Sequence, residues 1–187
     1  MSNLDMCVEA LQRSDEKSRL QRAHRMVAIS HFIQPASYVG IDEPLAMMED
    51  AKSAYISGAF LASMASAMSS IEHMLLTEIA ERGIKKHKKV AVDSASKAVT
   101  CLRDLTTGQE VLLDKVDELN KIRNAYIHPY PEGNPRRRIN RADCLGVSAI
   151  EVSEKDAFEA IKAMYQVFDL TLSDVSDEEW MKTAGEC

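Results

Sequence analysis

One apolar seam constrains the fold of this chain more than any other feature of its sequence. Large apolar side chains recur at steps of three or four between residues 61 and 79: Leu61, Met64, Met68, Ile71, Leu75 and Ile79. This spacing is typical of one face of an α-helix. Asp42 or Glu43 ahead of Pro44 suits the start of that helix, and Gly83 suits its end. The sequence therefore predicts one long helix from about residue 42 to Gly83, closely approached along its small residues by another helix or a second subunit.

Further helical segments fill most of the remaining sequence, which has only 7 Gly and 5 Pro. Helices are predicted at about 4–32, 93–105 and 109–127, although the charged run 13–18 leaves open whether the first is one helix or two. A last helix is predicted from Ser153, where Asp156 completes a capping pattern, to about residue 172. We expect an all-α, antiparallel bundle of about five helices in one domain, 1–173, followed by an acidic tail, 174–187. We do not expect a β-sandwich or barrel.

Composition narrows the functional class. No stretch approaches the roughly 18 consecutive apolar residues of a membrane span. The N-terminus also lacks the basic segment followed by an apolar segment that is typical of a signal peptide. We therefore expect a cytoplasmic protein without a membrane partner. The four cysteines lie far apart, and neither a zinc pattern nor a phosphate-binding glycine loop occurs, so no metal or cofactor is expected. The net charge of −6 argues against a general polyanion binder. The lysines at 85, 86, 88 and 89 read as a solvated linker.

The densest group of chemically capable residues is Arg123-Asn124-Ala125-Tyr126-Ile127-His128-Pro129-Tyr130, where a predicted helix ends. Asn124 and His128 are four residues apart and share a helix face, and the long side chain of Arg123 reaches around the helix end. Histidine exchanges protons near neutral pH, and arginine offers planar donors to a phosphate. The group therefore suits phosphodiester cleavage. The alternative is structural: Arg123 pairs with a carboxylate, and His128 satisfies the last carbonyls of the helix.

The segment 129–152 is long for a connection without secondary structure inside a compact domain, which indicates a functional loop. It carries four arginines close to His128: Arg136, Arg137, Arg138 and Arg141. Contacts with an RNA backbone are one interpretation of this positive charge. The other is that the arginines keep the loop soluble or bind the acidic tail.

The string from Arg123 to Tyr130 resembles the R-x4-H-x-Y pattern of the HEPN superfamily, helical proteins of which many are metal-independent endoribonucleases. Asn124 fits the polar position that commonly follows the motif arginine. The preceding Ala-rich helix is similar to the helix that such domains place against the motif helix. The resemblance covers roughly residues 45–172.

The resemblance implies a homodimer in which two motif regions face one cleft. In that scheme His128 is the general acid or base, Arg123 stabilises the scissile phosphate and Asn124 orients the RNA, whose own 2′-hydroxyl attacks the phosphorus. Glu72, on the preceding helix, would orient Arg123; its structural interpretation is an ordinary partly exposed helix carboxylate. Tyr130 matches the tyrosine that a nucleotidyltransferase antitoxin adenylates in toxin members, or is simply a packed loop aromatic. A non-catalytic helical module that binds RNA, nucleotide or a partner protein is the alternative function.

Overall fold

The computed structural model describes residues 2–33, 42–105 and 108–171 and is almost entirely helical there. It contains seven helices and a two-stranded antiparallel hairpin in these ranges. In chain order the elements are α1 (Asn3–Ser30), α2 (Asp42–Ser57), α3 (Phe60–Glu81), β1 (Lys86–His87), β2 (Val90–Ala91), α4 (Ala95–Leu105), α5 (Glu110–Ile127), α6 (Arg138–Leu145) and α7 (Ala149–Thr171). The predicted all-α class is confirmed. The acidic tail 174–187 lies outside the described residues.

The apolar seam lies where the sequence predicted, in the centre of the molecule. From Met64 to Ile79 its side chains are buried in one hydrophobic cluster that joins α3 to α2, α4, α5 and α7. Leu61 is the exception, because it is 49% exposed while its neighbour Phe60 is buried in its place. Gly83 follows the end of α3 at φ +72°, as expected of a helix stop.

The single helix predicted for about 42–83 is wrong, because the chain turns at Gly58 and divides it into α2 and α3. Gly58 has φ +87°, and its N–H donates to the Tyr55 carbonyl while that of Ala59 donates to Ala54. These two bonds are the Schellman pattern that ends a helix. A Cβ on Gly58 would also lie 3.0 Å from Nη1 of Arg25. Glycine is therefore favoured at this position both by its positive φ and by the close approach of the Arg25 side chain.

Helices α2 and α3 then pack antiparallel through buried serines. Ser63 Oγ donates to the carbonyl of Ala51 at 2.9 Å, and Ser70 Oγ donates to that of Pro44 at 3.0 Å. Residues later in α3 therefore contact residues earlier in α2, so the two helices run in opposite directions. Serine is small enough for this close approach, as predicted for the helix surface, and each buried hydroxyl is satisfied.

Helix α1 is one continuous helix that enters the bundle only near its C-terminal end. Ile29 is buried, and the ring of Phe32, just beyond the helix, packs 5.7 Å from that of Phe158. Arg25 donates from Nε to Glu154 at 2.8 Å and lies over the ring of Phe60. The first half of the helix is exposed. The charged run 13–18 therefore does not break the helix, because it falls on the solvated half.

The segment 129–152 is not a structureless loop, since it contains α6 and the first turn of α7. The last helix begins at Ala149 rather than Ser153. Its capping box is Ser148 with Glu151: the Ser148 N–H donates to the Glu151 carboxylate at 2.8 Å, and the Glu151 N–H donates to Ser148 Oγ at 3.2 Å. Ser153 and Asp156, which were predicted to form the cap, are instead buried inside the helix.

Candidate functional site

The candidate site lies at the C-terminal end of α5. Leu113, Val116 and Leu119 are buried and hold that helix against the core. His128 follows the last helical residue with extended backbone, φ −105° and ψ 144°, as expected before Pro129. Its N–H still donates to the carbonyl of Asn124 at 2.9 Å. The histidine is thus fixed by its main chain at the point where the helix ends, and its side chain is exposed.

Arg123 is half-buried in the last turns of α5 and has an unusual set of partners. Its Nη1 donates to Oδ1 of Asn124 at 3.2 Å, whereas its Nε is buried without a hydrogen-bond partner. No carboxylate pairs with it in the part of the chain that the structure describes. A half-buried guanidinium usually pairs with an acid. The positive charge of Arg123 is therefore not neutralised by any carboxylate of the described residues.

Asn124 contacts the Arg123 side chain and the main chain of His128. Its side-chain oxygen accepts from Arg123, and its main-chain carbonyl accepts from His128. Since Asn124 and His128 are four residues apart, their side chains start from the same face of the helix. The structural alternative for Arg123, an ion pair, is thus not found among the described residues, while the main chain of His128 does satisfy a terminal carbonyl.

A closed polar cluster adjoins this end of α5 and was not predicted. The Tyr126 hydroxyl donates to Oδ2 of Asp156 at 2.7 Å and lies 3.4 Å from Oγ of Ser153. Arg141 binds the same carboxylate through both terminal nitrogens, at 2.5 and 2.6 Å. Asp156 is only 4% exposed. We call these four residues the Asp156 cluster; it ties α5, α6 and α7 together behind the motif.

Burial is the main cause of the raised pKa of the Tyr126 hydroxyl. Removal of its hydroxyl from water, together with the bond to Asp156, raises the pKa of this tyrosine from 10.0 to about 12. The bond to Asp156 likewise raises the pKa of Arg141. At neutral pH the tyrosine is therefore a neutral donor and the arginine a cation, which is the arrangement that a buried carboxylate requires.

The four arginines of segment 129–152 divide into two kinds. The guanidinium of Arg141 is held by Asp156, so its predicted role in binding RNA gives way to a structural one. Arg138 donates to Ser153 at 3.4 Å from an exposed position. Arg136 is exposed and Arg137 half-buried, and the N–H groups of both donate to Asn134, to its side chain and its carbonyl respectively. Arg136, Arg137 and Arg138 therefore lie on the turn that leads into α6 and at the first residue of that helix, eight to ten residues after His128.

Glu72 has a different partner from the one predicted. Its Oε1 accepts from the N–H of Ala95 at 3.0 Å and so caps the first turn of α4. Within the described ranges no hydrogen bond or ion pair joins it to Arg123. Tyr130 is half-buried two residues beyond His128. The structure thus brings Arg123, Asn124 and His128 together and gives Glu72 a helix-capping role.

The described ranges hold neither a metal-binding cluster nor a helix that could span a membrane. They contain no group of three or more His, Cys, Asp or Glu side chains arranged to hold a metal ion. None of their helices combines the length and the apolar character that crossing a bilayer requires. Comparisons with protein-family models, with curated proteins and with solved structures found no match to this chain.

Proposed function

We propose that this chain is a HEPN-type, metal-independent endoribonuclease. The observation that carries the proposal is the state of Arg123: a half-buried guanidinium, held by Asn124 beside the exposed His128, whose charge no described carboxylate neutralises. A positive charge held in this way suits a phosphate that gains negative charge during reaction. The basic turn of Arg136, Arg137 and Arg138 adds positions for neighbouring phosphates.

The chemistry needs only the RNA and these side chains. His128 accepts the proton of a 2′-hydroxyl, whose oxygen attacks the adjacent phosphorus, and a proton is returned to the departing 5′-oxygen. Arg123 stabilises the phosphorane, and Asn124 keeps the guanidinium in place. The products are a 2′,3′-cyclic phosphate and a free 5′-hydroxyl. DNA lacks the attacking hydroxyl and is not cleaved.

The proposal includes a homodimer in which two motif ends face one cleft. A single chain supplies one histidine to the motif end of α5, and no second side chain of the described residues bonds to its ring. A second copy would bring a second Arg123 and His128 to the same phosphate, and with them separate groups for accepting and returning the proton. A cytoplasmic toxin or defence role belongs to the same proposal, with Tyr130 as the residue that a nucleotidyltransferase antitoxin would modify.

The unsupported ring of His128 favours the second candidate function, a non-catalytic module. Such a protein would use Arg123 and the arginine turn to bind RNA, a nucleotide or a partner protein without cleavage. Efficient general bases are usually oriented by another group. The two candidates differ in chemistry rather than in affinity, so one assay separates them.

The deciding experiment incubates the purified protein with RNA and with DNA of the same sequence in EDTA. We expect RNA alone to be cut, with cyclic phosphate ends, and both Arg123→Ala and His128→Ala to reduce the rate by at least about a hundredfold. Arg13→Ala and His24→Ala, exposed residues of α1, are matched controls that should retain the activity. RNA that is bound but uncut by the folded wild-type dimer would favour the module, and cleavage that survives His128→Ala would rule out the mechanism.

A further inference from the structure

The hairpin formed by β1 and β2 carries a second concentration of positive charge, away from the motif. Lys86 pairs with Ala91 and His87 with Val90, which leaves Lys88 and Lys89 as a two-residue turn. Both turn residues have positive φ, +46° and +69°. Tight turns of this kind favour Asn-Gly, because lysine adopts such backbone angles only at a cost. The hairpin therefore holds two lysines in a strained conformation at its tip.

The hairpin is anchored by one face only. His87 Nε2 lies 2.9 Å from Oδ2 of Asp104, in the last turn of α4, and Lys88 Nζ lies 2.5 Å from the same atom. These two bonds lower the pKa of Asp104, so it is an anionic anchor. Successive side chains of a strand point to opposite faces, so Lys86 is directed away from the anchored face.

Three lysines of the hairpin region are left uncompensated. All four lysines are exposed, and within the described residues no carboxylate pairs with Lys85, Lys86 or Lys89. Exposed lysines on a flexible linker are ordinarily only solvated. Here the backbone is fixed by the turn and by Asp104, so the three lysines are carried on one anchored element within five residues of chain. Ammonium groups bind phosphates as point charges.

The hairpin and the motif lie toward opposite ends of α5. Asp104 anchors the hairpin at the end of α4, and its neighbour Arg103 binds Asp114, near the start of α5, at 2.5 Å. His128 lies 14 residues beyond Asp114 in the sequence. At 1.5 Å per helical residue Asp114 and His128 are separated by roughly 20 Å along the helix axis, which gives the scale of the distance between the two sites. With about 3.4 Å per stacked nucleotide, this corresponds to about six nucleotides.

We infer that the hairpin lysines Lys85, Lys86 and Lys89 form a second binding site for the phosphodiester backbone of RNA, which an RNA of more than about six nucleotides occupies together with the motif. The inference rests on the proposed function for its ligand, but not on catalysis. The protein as a whole is negatively charged, so RNA would be held by two local basic sites and not by the overall electrostatic field of the protein.

Binding of an uncleavable probe tests the hairpin site. The probes are single-stranded 2′-O-methyl RNAs of about 4 and about 20 nucleotides, measured by fluorescence anisotropy in EDTA over a range of salt concentrations. Substitution of Lys85, Lys86 and Lys89 by Gln should weaken binding of the long probe about ten- to a hundredfold and lower its salt dependence by about two in log–log slope. Binding of the short probe should not change.

The matched control removes the same charge elsewhere. Lys17, Lys155 and Lys162 form no ion pair within the described ranges, so their triple substitution by Gln changes the net charge equally without touching the hairpin. An equal loss of affinity in both triple variants, or no loss in the hairpin variant, would overturn the inference. Its failure is distinguishable from failure of the ribonuclease, since wild-type cleavage of short RNA is independent of the hairpin, and long-probe binding is independent of cleavage.

Discussion

Two charged groups lie beside the C-terminal end of α5, and they differ in how completely their hydrogen bonds and charge are matched by neighbouring side chains. Asp156 is almost fully buried, and its two oxygens receive three short hydrogen bonds, two from Arg141 and one from Tyr126. Arg123 is half-buried, and among the described residues it bonds to a neutral amide while its Nε has no partner. A fold gains stability by completing a polar cluster, as at Asp156. Arg123 differs in that no described carboxylate pairs with it, and such a charge suits an anionic ligand.

The comparison predicts that two arginines, substituted identically, behave differently. Arg141→Gln leaves the buried Asp156 without its counter-charge and should lower the free energy of unfolding by about 3–5 kcal/mol. Arg123→Gln removes no ion pair of the described residues and should change it by no more than about 0.5 kcal/mol. Urea unfolding followed by circular dichroism measures both. RNA cleavage should be lost in Arg123→Gln although the protein stays folded.

Each arginine variant serves as the control for the other. A loss of several kcal/mol in Arg123→Gln would show that Arg123 is structural, and would remove the observation on which the proposed function rests. A triple variant, Tyr126→Phe with Arg141→Met and Asp156→Leu, replaces the three ionisable members of the cluster by apolar groups and leaves Ser153 in place. It should recover most of the stability that Arg141→Gln loses, because no buried charge remains unpaired.

Much of the fold could be predicted because spacing alone determines which helix face is apolar. The bounds of α5 and the buried seam of α3 follow from such spacing. The break at Gly58 does not, because a glycine inside a helical pattern is tolerated, and the contact with Arg25 that favours glycine there comes from a distant helix. The hairpin was missed for a similar reason, since its two lysine turn residues are not the ones that such turns favour.

The part of the candidate site that could be predicted consists of residues close together in the sequence. Arg123, Asn124 and His128 are close in sequence, so the end of one helix brings them together. Glu72 and Arg141 find partners, Ala95 and Asp156, that lie 23 and 15 residues away, and spacing does not reveal them. One signal for Asp156 was present: it lies four residues after Val152 and four before Ala160, on the apolar face of α7. An acid on such a face requires a buried cation.

Alkaline pH gives a further test of the Asp156 cluster, with a smaller expected effect on stability than the arginine substitutions. Tyr126 has a pKa of about 12 in the fold and about 10 when unfolded, so between these values the folded state holds a proton that the unfolded chain has released. The contribution of the tyrosine is fully present below pH 10 and is lost as the pH rises to 12. The stability difference between wild type and Tyr126→Phe should therefore shrink over this range.

Ultraviolet absorbance of the phenolate provides the direct measurement for Tyr126. In the folded protein one tyrosine that ionises near pH 12 should disappear from the titration when Tyr126 is replaced by Phe. Asn124→Ala, a change on the open side of the same helix, leaves the cluster intact and should leave this titration unchanged. A Tyr126 that ionises near pH 10 would mean that water reaches its hydroxyl, and that the cluster is less closed than its distances indicate.

The smallest expected effect lies at the start of α7, where the capping box of Ser148 is complete but exposed. Ser148→Ala removes the hydroxyl that accepts from the Glu151 N–H, and should lower the free energy of unfolding by about 1 kcal/mol. Ser148→Asp preserves an acceptor and should restore it. Both variants should retain RNA cleavage, because the Asp156 cluster holds the motif end of α5 independently of the cap. A loss of several kcal/mol, or loss of cleavage, would instead show that the start of α7, rather than the cluster, positions the site.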